Sequence, residues 1–140
     1  MALISTETSL VGTWELLSRE DMTSDGERRV EPNLGSDPLA YLIYDATGHF
    51  AVQFMRRNRN TAASTNNSGA GTGYDAYFGR YSAADGTVTQ ELVGALSPGD
   101  VGKVVTRQFR INGDELVITL ETASSDGKPV TRTLRWKRLA

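Results

Sequence analysis

The sequence predicts an all-β, antiparallel domain, a sandwich or a barrel, and three observations carry that prediction. Short apolar runs rich in β-branched and aromatic residues alternate with turn signals along the whole chain. No window longer than about a dozen residues keeps a helical period, which leaves room only for a short helix near the N-terminus. Strands do not alternate with helices, which argues against a doubly wound parallel sheet. The 140 residues fit one domain, taken as 1–140, without an internal repeat.

The elements follow in order. Leu10 to Met22 is stopped by Thr23-Ser24-Asp25-Gly26, and a polar stretch through Pro32 and Pro38 leads into Leu39 to Tyr44. Asp45-Ala46-Thr47-Gly48 turns the chain into Phe50 to Met55. Arg57 to Gly73 is a low-complexity segment of Asn, Ser, Thr, Ala and Gly, long enough to serve as a lid over a site or to stay unstructured. Tyr77 to Ser82, Thr87 to Leu96, Val104 to Ile111, Leu116 to Thr122 and Val130 to Leu139 complete the set, separated by Ala84-Asp85-Gly86, Pro98-Gly99-Asp100, Asn112-Gly113 and Asp126-Gly127.

Two hairpins can be registered. Asn112-Gly113, read as a two-residue loop, pairs Ile111 with Asp114 and Phe109 with Leu116. Side chains alternate faces, so Val105, Arg107, Phe109, Leu116, Ile118 and Leu120 share the inner face, with Arg107 its one charge. The turn at 45–48, with Gly48 in a left-handed bulge position, sets Leu42, Tyr44, Phe50, Val52 and Phe54 inward. Tyr41, Ile43, Ala51, Gln53 and Met55 then form an outer face too apolar for open water. The N-terminal segment, the 57–73 loop or a second subunit in a homodimer is expected to cover it.

Composition removes several classes of function. Without cysteine there are no disulfides, thiolate metal sites or cysteine nucleophiles, and the single histidine, His49, rules out multi-imidazole sites. Fifteen basic against seventeen acidic residues leave a net charge of −2, too balanced for binding nucleic acid through its net field. No apolar run approaches the ~20 residues of a membrane helix, and the start lacks a signal-peptide pattern, so a cytoplasmic location is expected. No carboxylate spacing implies a metal, and Gly69-Ala70-Gly71-Thr72-Gly73 lacks the flanking strand and helix of a dinucleotide site.

Taken in order, the landmarks resemble one family, the bacterial lipocalin-like domain. They are Leu10-Val11-Gly12-Thr13-Trp14-Glu15-Leu16-Leu17-Ser18, Leu42-Ile43-Tyr44 with Gly48-His49-Phe50-Ala51-Val52-Gln53-Phe54-Met55, and Ala76-Tyr77-Phe78-Gly79-Arg80-Tyr81. Gly86-Thr87-Val88-Thr89, Val101-Gly102, Arg107-Gln108-Phe109 and Leu134-Arg135-Trp136-Lys137-Arg138 follow. The resemblance implies a mainly up-and-down barrel of eight to ten strands around an internal cavity. Gln90-Glu91 stands where members often carry histidine, and Gly99-Asp100 follows Pro98 where an aromatic is expected.

Within such a barrel, Arg107 suits an amphipathic acid, because a guanidinium stays charged and presents a planar fork to a carboxylate or phosphate. Its structural alternative is an internal ion pair with Glu91 or Glu121. Tyr44, Tyr77 and Tyr81 are candidates to orient a polar ligand group, with Phe50, Phe54, Phe109 and Trp136 as apolar wall; aromatic filling of the core is the competing reading. Gln53 and Gln90 are read as surface residues. Trp14 and Trp136 lie on the first and last strands, which neighbour each other in a closed barrel, where Arg132 or Arg138 stacks on one ring. His49 reads as a surface partner of Asp45, and a haem ligand is the weaker alternative. The expected function is binding of a small, mostly apolar molecule with a polar or anionic end, without a cofactor. The alternative is a cofactor-independent isomerase or cyclase using the same cavity.

Overall fold

The computed structural model describes residues 10–59 and 73–140. Nine strands appear in these residues: β1 (Gly12–Thr23), β2 (Arg28–Arg29), β3 (Leu39–Tyr44), β4 (His49–Met55), β5 (Tyr74–Ala84), β6 (Thr87–Ala95), β7 (Val104–Asn112), β8 (Glu115–Ala123) and β9 (Pro129–Arg138). A 3-10 turn, Pro98–Asp100, bridges β6 and β7. All pairings are antiparallel, in the order β1-β3-β4-β5-β6-β7-β8-β9, and β9 returns to β1 to close an eight-stranded barrel. The two-residue β2 is an extra strand on the outer part of β1, through Asp21↔Arg29 and Met22↔Arg28. The expected short N-terminal helix is not among these elements. The chain before Leu10 lies outside the described residues, as do residues 60–72 of the expected lid.

The β3–β4 hairpin has the expected register, Tyr44↔Phe50 and Leu42↔Val52, with Gly48 at φ +90°. The second hairpin is a correction. Asn112 pairs with Glu115 and Ile111 with Leu116, so the loop is Gly113-Asp114. Only Gly113 (φ +64°) takes a positive φ there, which is the requirement of a II′ turn; the expected I′ turn would have forced Asn112 left-handed as well. A true I′ pattern occurs at Asp85 (φ 54°) and Gly86 (φ 75°), between Ala84 and Thr87. The slip of one residue on each strand preserves parity. Phe109 and Ile118 remain inward, now as direct partners.

Two irregularities change which residues face inward. β1 bulges between Leu16 and Ser18, leaving Leu17 exposed. Beyond it the inward set switches from Trp14 and Leu16 to Asp21 and Thr23, all buried. β5 and β6 slip at Phe78/Gly79, where a Cβ on Gly79 would lie 1.8 Å from the Glu91 carbonyl oxygen. Only glycine lets these backbones approach so closely.

One end of the barrel is packed solid. Leu10, Trp14, Tyr44, Phe50, Tyr81, Val88, Phe109 and Leu116 are buried there, with the Tyr44 and Tyr81 rings edge to face at 4.6 Å. The expected neighbouring of the first and last strands holds: Leu16 pairs with Trp136 and Trp14 with Arg138. It is Arg138 that stacks on an indole, its guanidinium 4.2 Å from the Trp14 ring centroid.

Candidate functional site

The opposite half of the barrel is hollow. A cavity of about 370 Å³ is walled by Leu42, Val52, Phe54, Leu92, Val105, Ile118, Leu134 and Trp136 and rimmed by charged side chains. The strands on this side turn Arg19, Asp75, Arg107 and Arg132 toward it, polar residues that do not fill the interior as Trp14 and Tyr44 fill the other end.

The eight residues singled out from the sequence divide between the two halves. Arg107, Tyr77, Phe54 and Trp136 line the cavity. Tyr44, Tyr81, Phe50 and Phe109 belong to the packed core. The Tyr81 hydroxyl donates to the Asp45 carbonyl at 2.7 Å, so that phenol is committed to a turn. Tyr44 touches the site indirectly: its hydroxyl accepts from Gln90 Nε2 at 2.8 Å, and burial raises its pKa.

Gln90 is itself a correction. It is 4% exposed and lines the cavity instead of the surface, because it shares parity with the buried Val88 and Leu92. Among the described residues, neither its Oε1 nor the Nε1 of Trp136, both fully buried atoms, has a hydrogen-bond partner. Gln53 does sit on the exterior, where it accepts from the Tyr74 hydroxyl.

Arg107 is half-buried, and among the described residues no carboxylate lies within ion-pair distance of it. Its Nη1 donates to the Thr106 carbonyl at 3.2 Å. Both expected partners are occupied elsewhere: Glu91 pairs with Arg80 at 3.0 Å, and Glu121 accepts from the Thr131 hydroxyl. Desolvation, with the Coulomb push of Arg132 added, lowers the Arg107 pKa.

Arg107 is not the only inward charge, contrary to the sequence reading. Arg132 holds the buried Asp21 in a two-pronged contact, Nε to Oδ1 at 2.9 Å and Nη2 to Oδ2 at 3.0 Å. Arg19 stands 3.7 Å from the same carboxylate, so two cations share one anion. Burial, with the Coulomb push of Arg132 behind it, lowers the Arg19 pKa. Lys103 and Asp100 pair at 2.9 Å within the β6–β7 connection at the rim. Asp75, on the same face of β5 as Tyr77, also lines the cavity, and burial raises its carboxyl pKa.

The remaining candidates are peripheral. His49 is exposed, 3.9 Å from Asp45, and its Nδ1 lies 2.9 Å from the Thr47 hydroxyl, outside the barrel. That placement withdraws it from the cavity as a haem ligand. Among the described residues no cluster of His, Asp and Glu could hold a metal ion, and no helix is long and apolar enough to cross a membrane.

The site residues that sequence reasoning missed were Arg19, Asp75, Gln90 and Arg132. Asp75 and Gln90 were readable by alternation from Tyr77 and Val88. Arg19 was not, because the bulge before Ser18 inverts the pattern.

Comparison with curated proteins gives no match. The comparison with protein families does. Closed antiparallel barrels of this build accommodate small molecules in general, and the model of the lipocalin-like domain matches residues 11–139, from the start of the first long strand to the end of the last. The chain therefore belongs to the lipocalin-like domain family.

Proposed function

We propose that the barrel binds a small, mostly apolar molecule with an anionic end, its body in the cavity and its charge against Arg107. The observation that carries this reading is a guanidinium on the wall of a hollow of mixed apolar and charged lining, with no carboxylate within ion-pair distance of it among the described residues. A partly desolvated cation without a counter-charge is costly, and an incoming carboxylate would compensate it by a two-pronged, charge-assisted contact. Arg19, sharing Asp21 with Arg132, adds a second incompletely neutralised cation at the same mouth.

The test is a titration of purified protein with a medium-chain carboxylate and the matching alcohol, alongside native mass spectrometry for a co-purifying ligand. The acid binds the wild type more tightly than the alcohol, and Arg107→Met weakens the acid about 10- to 100-fold, the range for a lost hydrogen-bonded charge contact. Equal affinity of acid and alcohol, or no effect of Arg107→Met, refutes the reading.

One observation favours a second reading, a cofactor-independent isomerase or cyclase. Asp75 is a carboxyl of raised pKa beside Tyr77 in the same cavity, suited to moving a proton on a bound molecule. On that reading Asp75→Asn abolishes turnover while binding survives. The outer face bearing Tyr41 and Ile43, 49% and 44% exposed, supports a homodimer, which sedimentation velocity would detect as a concentration-dependent species.

A further inference from the structure

Beside the main cavity lies a second hollow of about 300 Å³, and the two share Arg19, Asp75 and Arg132 in their walls. The rest of its lining comes from Glu31, Asn33 and Leu34 in the loop after β2, and from Tyr74, Leu96 and Ser97. Most of this lining is polar, in contrast to the apolar wall of the main cavity.

Most of those polar groups are already engaged. Asn33 donates to the Tyr74 carbonyl at 3.2 Å and accepts from the Gly73 N–H at 2.8 Å. Glu31 accepts from the Leu34 N–H, and Arg132 grips Asp21 with two nitrogens. Arg19 differs. Its side chain is only 9% exposed, yet among the described residues its guanidinium makes no hydrogen bond. Its ion contact, 3.7 Å from Nε, falls on Asp21 Oδ1, the oxygen that Arg132 already holds at 2.9 Å. A guanidinium carries five N–H donors and keeps its charge, so in so dry a setting it calls for acceptors. Nor is it walled off. Arg19 lines both hollows, and none of its nitrogens is among the sealed, unpaired atoms of the barrel, Gln90 Oε1 and Trp136 Nε1.

The surrounding charges select the acceptor. Glu31 and Asp75 line the second hollow with the two arginines, so a full anion placed there would meet carboxylates as well as guanidiniums. An uncharged oxygen avoids that repulsion and still takes a charge-assisted hydrogen bond. Arg132 acts through space on both Arg19 and Arg107, which sets the three guanidiniums on one side of the barrel. We infer that the second hollow is a polar subsite in which Arg19 donates to an uncharged oxygen, a hydroxyl or a carbonyl, that the ligand carries close to its acid group. The inference rests on the proposed binding of an amphipathic acid at Arg107 and narrows the ligand to hydroxy or oxo acids.

The experiment is calorimetry with decanoate, β-hydroxydecanoate and ω-hydroxydecanoate, with the Arg19 Nε–Hε signal followed in ¹H–¹⁵N spectra. The β-hydroxy acid binds the wild type about 10-fold tighter than decanoate and shifts the Arg19 signal. The ω-hydroxy acid, whose hydroxyl lies at the far end of the chain, gains nothing. Arg19→Met keeps an unbranched stem and reduces the preference to about 2-fold or less, while decanoate binding survives. Should Arg19→Met fail to fold, the wild-type preference and the Arg19 signal decide the matter. Equal binding of decanoate and its β-hydroxy analogue with an unmoved Arg19 signal overturns the inference and leaves the acid site at Arg107 standing. So does an equal gain from the ω-hydroxy acid, or a preference that persists in Arg19→Met. Binding of none of the three acids overturns the acid site, and the inference falls with it.

Discussion

At the scale of single residues, the mouth of the barrel is governed by one buried carboxylate serving two guanidiniums. Removing Asp21 would leave Arg132 and Arg19 facing each other without an anion. Asp21→Asn is expected to cost about 3 kcal/mol, as for other broken buried pairs, measured by urea denaturation. The same substitution is expected to tighten carboxylate binding, because it frees cations at the cavity rim; a calorimetric titration without denaturant and well below the melting temperature, where the variant is folded, checks this second half. Asp75 predicts the opposite sign. Its folded-state pKa is raised by burial, so the protein favours the protonated carboxyl, and that preference costs stability as the pH climbs through the raised value. Asp75→Asn is therefore more stable than the wild type at neutral pH, and the two curves converge below about pH 4, where the unfolded carboxyl is protonated too. Thermal melts across that range would show it.

At the scale of elements, the two glycine-dependent features make separate predictions. Gly79→Ala drives a Cβ into the β6 backbone and should lower stability by about 3 kcal/mol or prevent folding, as forced overpacking does. Gly113→Ala strains the β7–β8 turn and costs about 1–2 kcal/mol, while Asn112→Ala, on a strand end with negative φ, stays within about 0.5 kcal/mol. A left-handed Asn112 would have made both sensitive. These elements also show what could be read from the chain itself. Strand positions, the β3–β4 register and the meeting of Trp14 with the last strand were legible, because alternation and turn residues encode them locally. The slip at Gly113 was not, since Asn-Gly and Gly-Asp both support tight turns and the choice rests on the partner strand. Nor was the inward rotation of Arg19 and Asp21, which depends on a bulge that β1 makes against β9. Arg107 was found on the right face by a register wrong by one residue on each strand, which parity forgave.

At the scale of the whole molecule, one half of the barrel supplies rigidity and the other a hollow. The packed end has its aromatic residues in contact, and the open end is lined by charged side chains. Substitutions in the packed end should act on stability alone: Phe109→Ala is expected to cost about 3–4 kcal/mol and to leave ligand preference unchanged in whatever fraction stays folded. Binding measured on the folded fraction at low temperature separates the two effects.

The seam between β1 and β9 has a bearing on how the chain reaches this state. The strand that leaves the ribosome early must wait for one made more than a hundred residues later, since Asp21 meets Arg132 across a separation of 111. Until then the nascent sheet is an open curl with two bare edges and a half-formed hollow exposed to water or to any neighbour. Folding is therefore a single late event dominated by distant contacts, and refolding should be slow for a domain of this length, on the scale of milliseconds to seconds. On the proposed reading, an acidic hydrophobe would find a complete cavity only after the last hairpin had zipped shut.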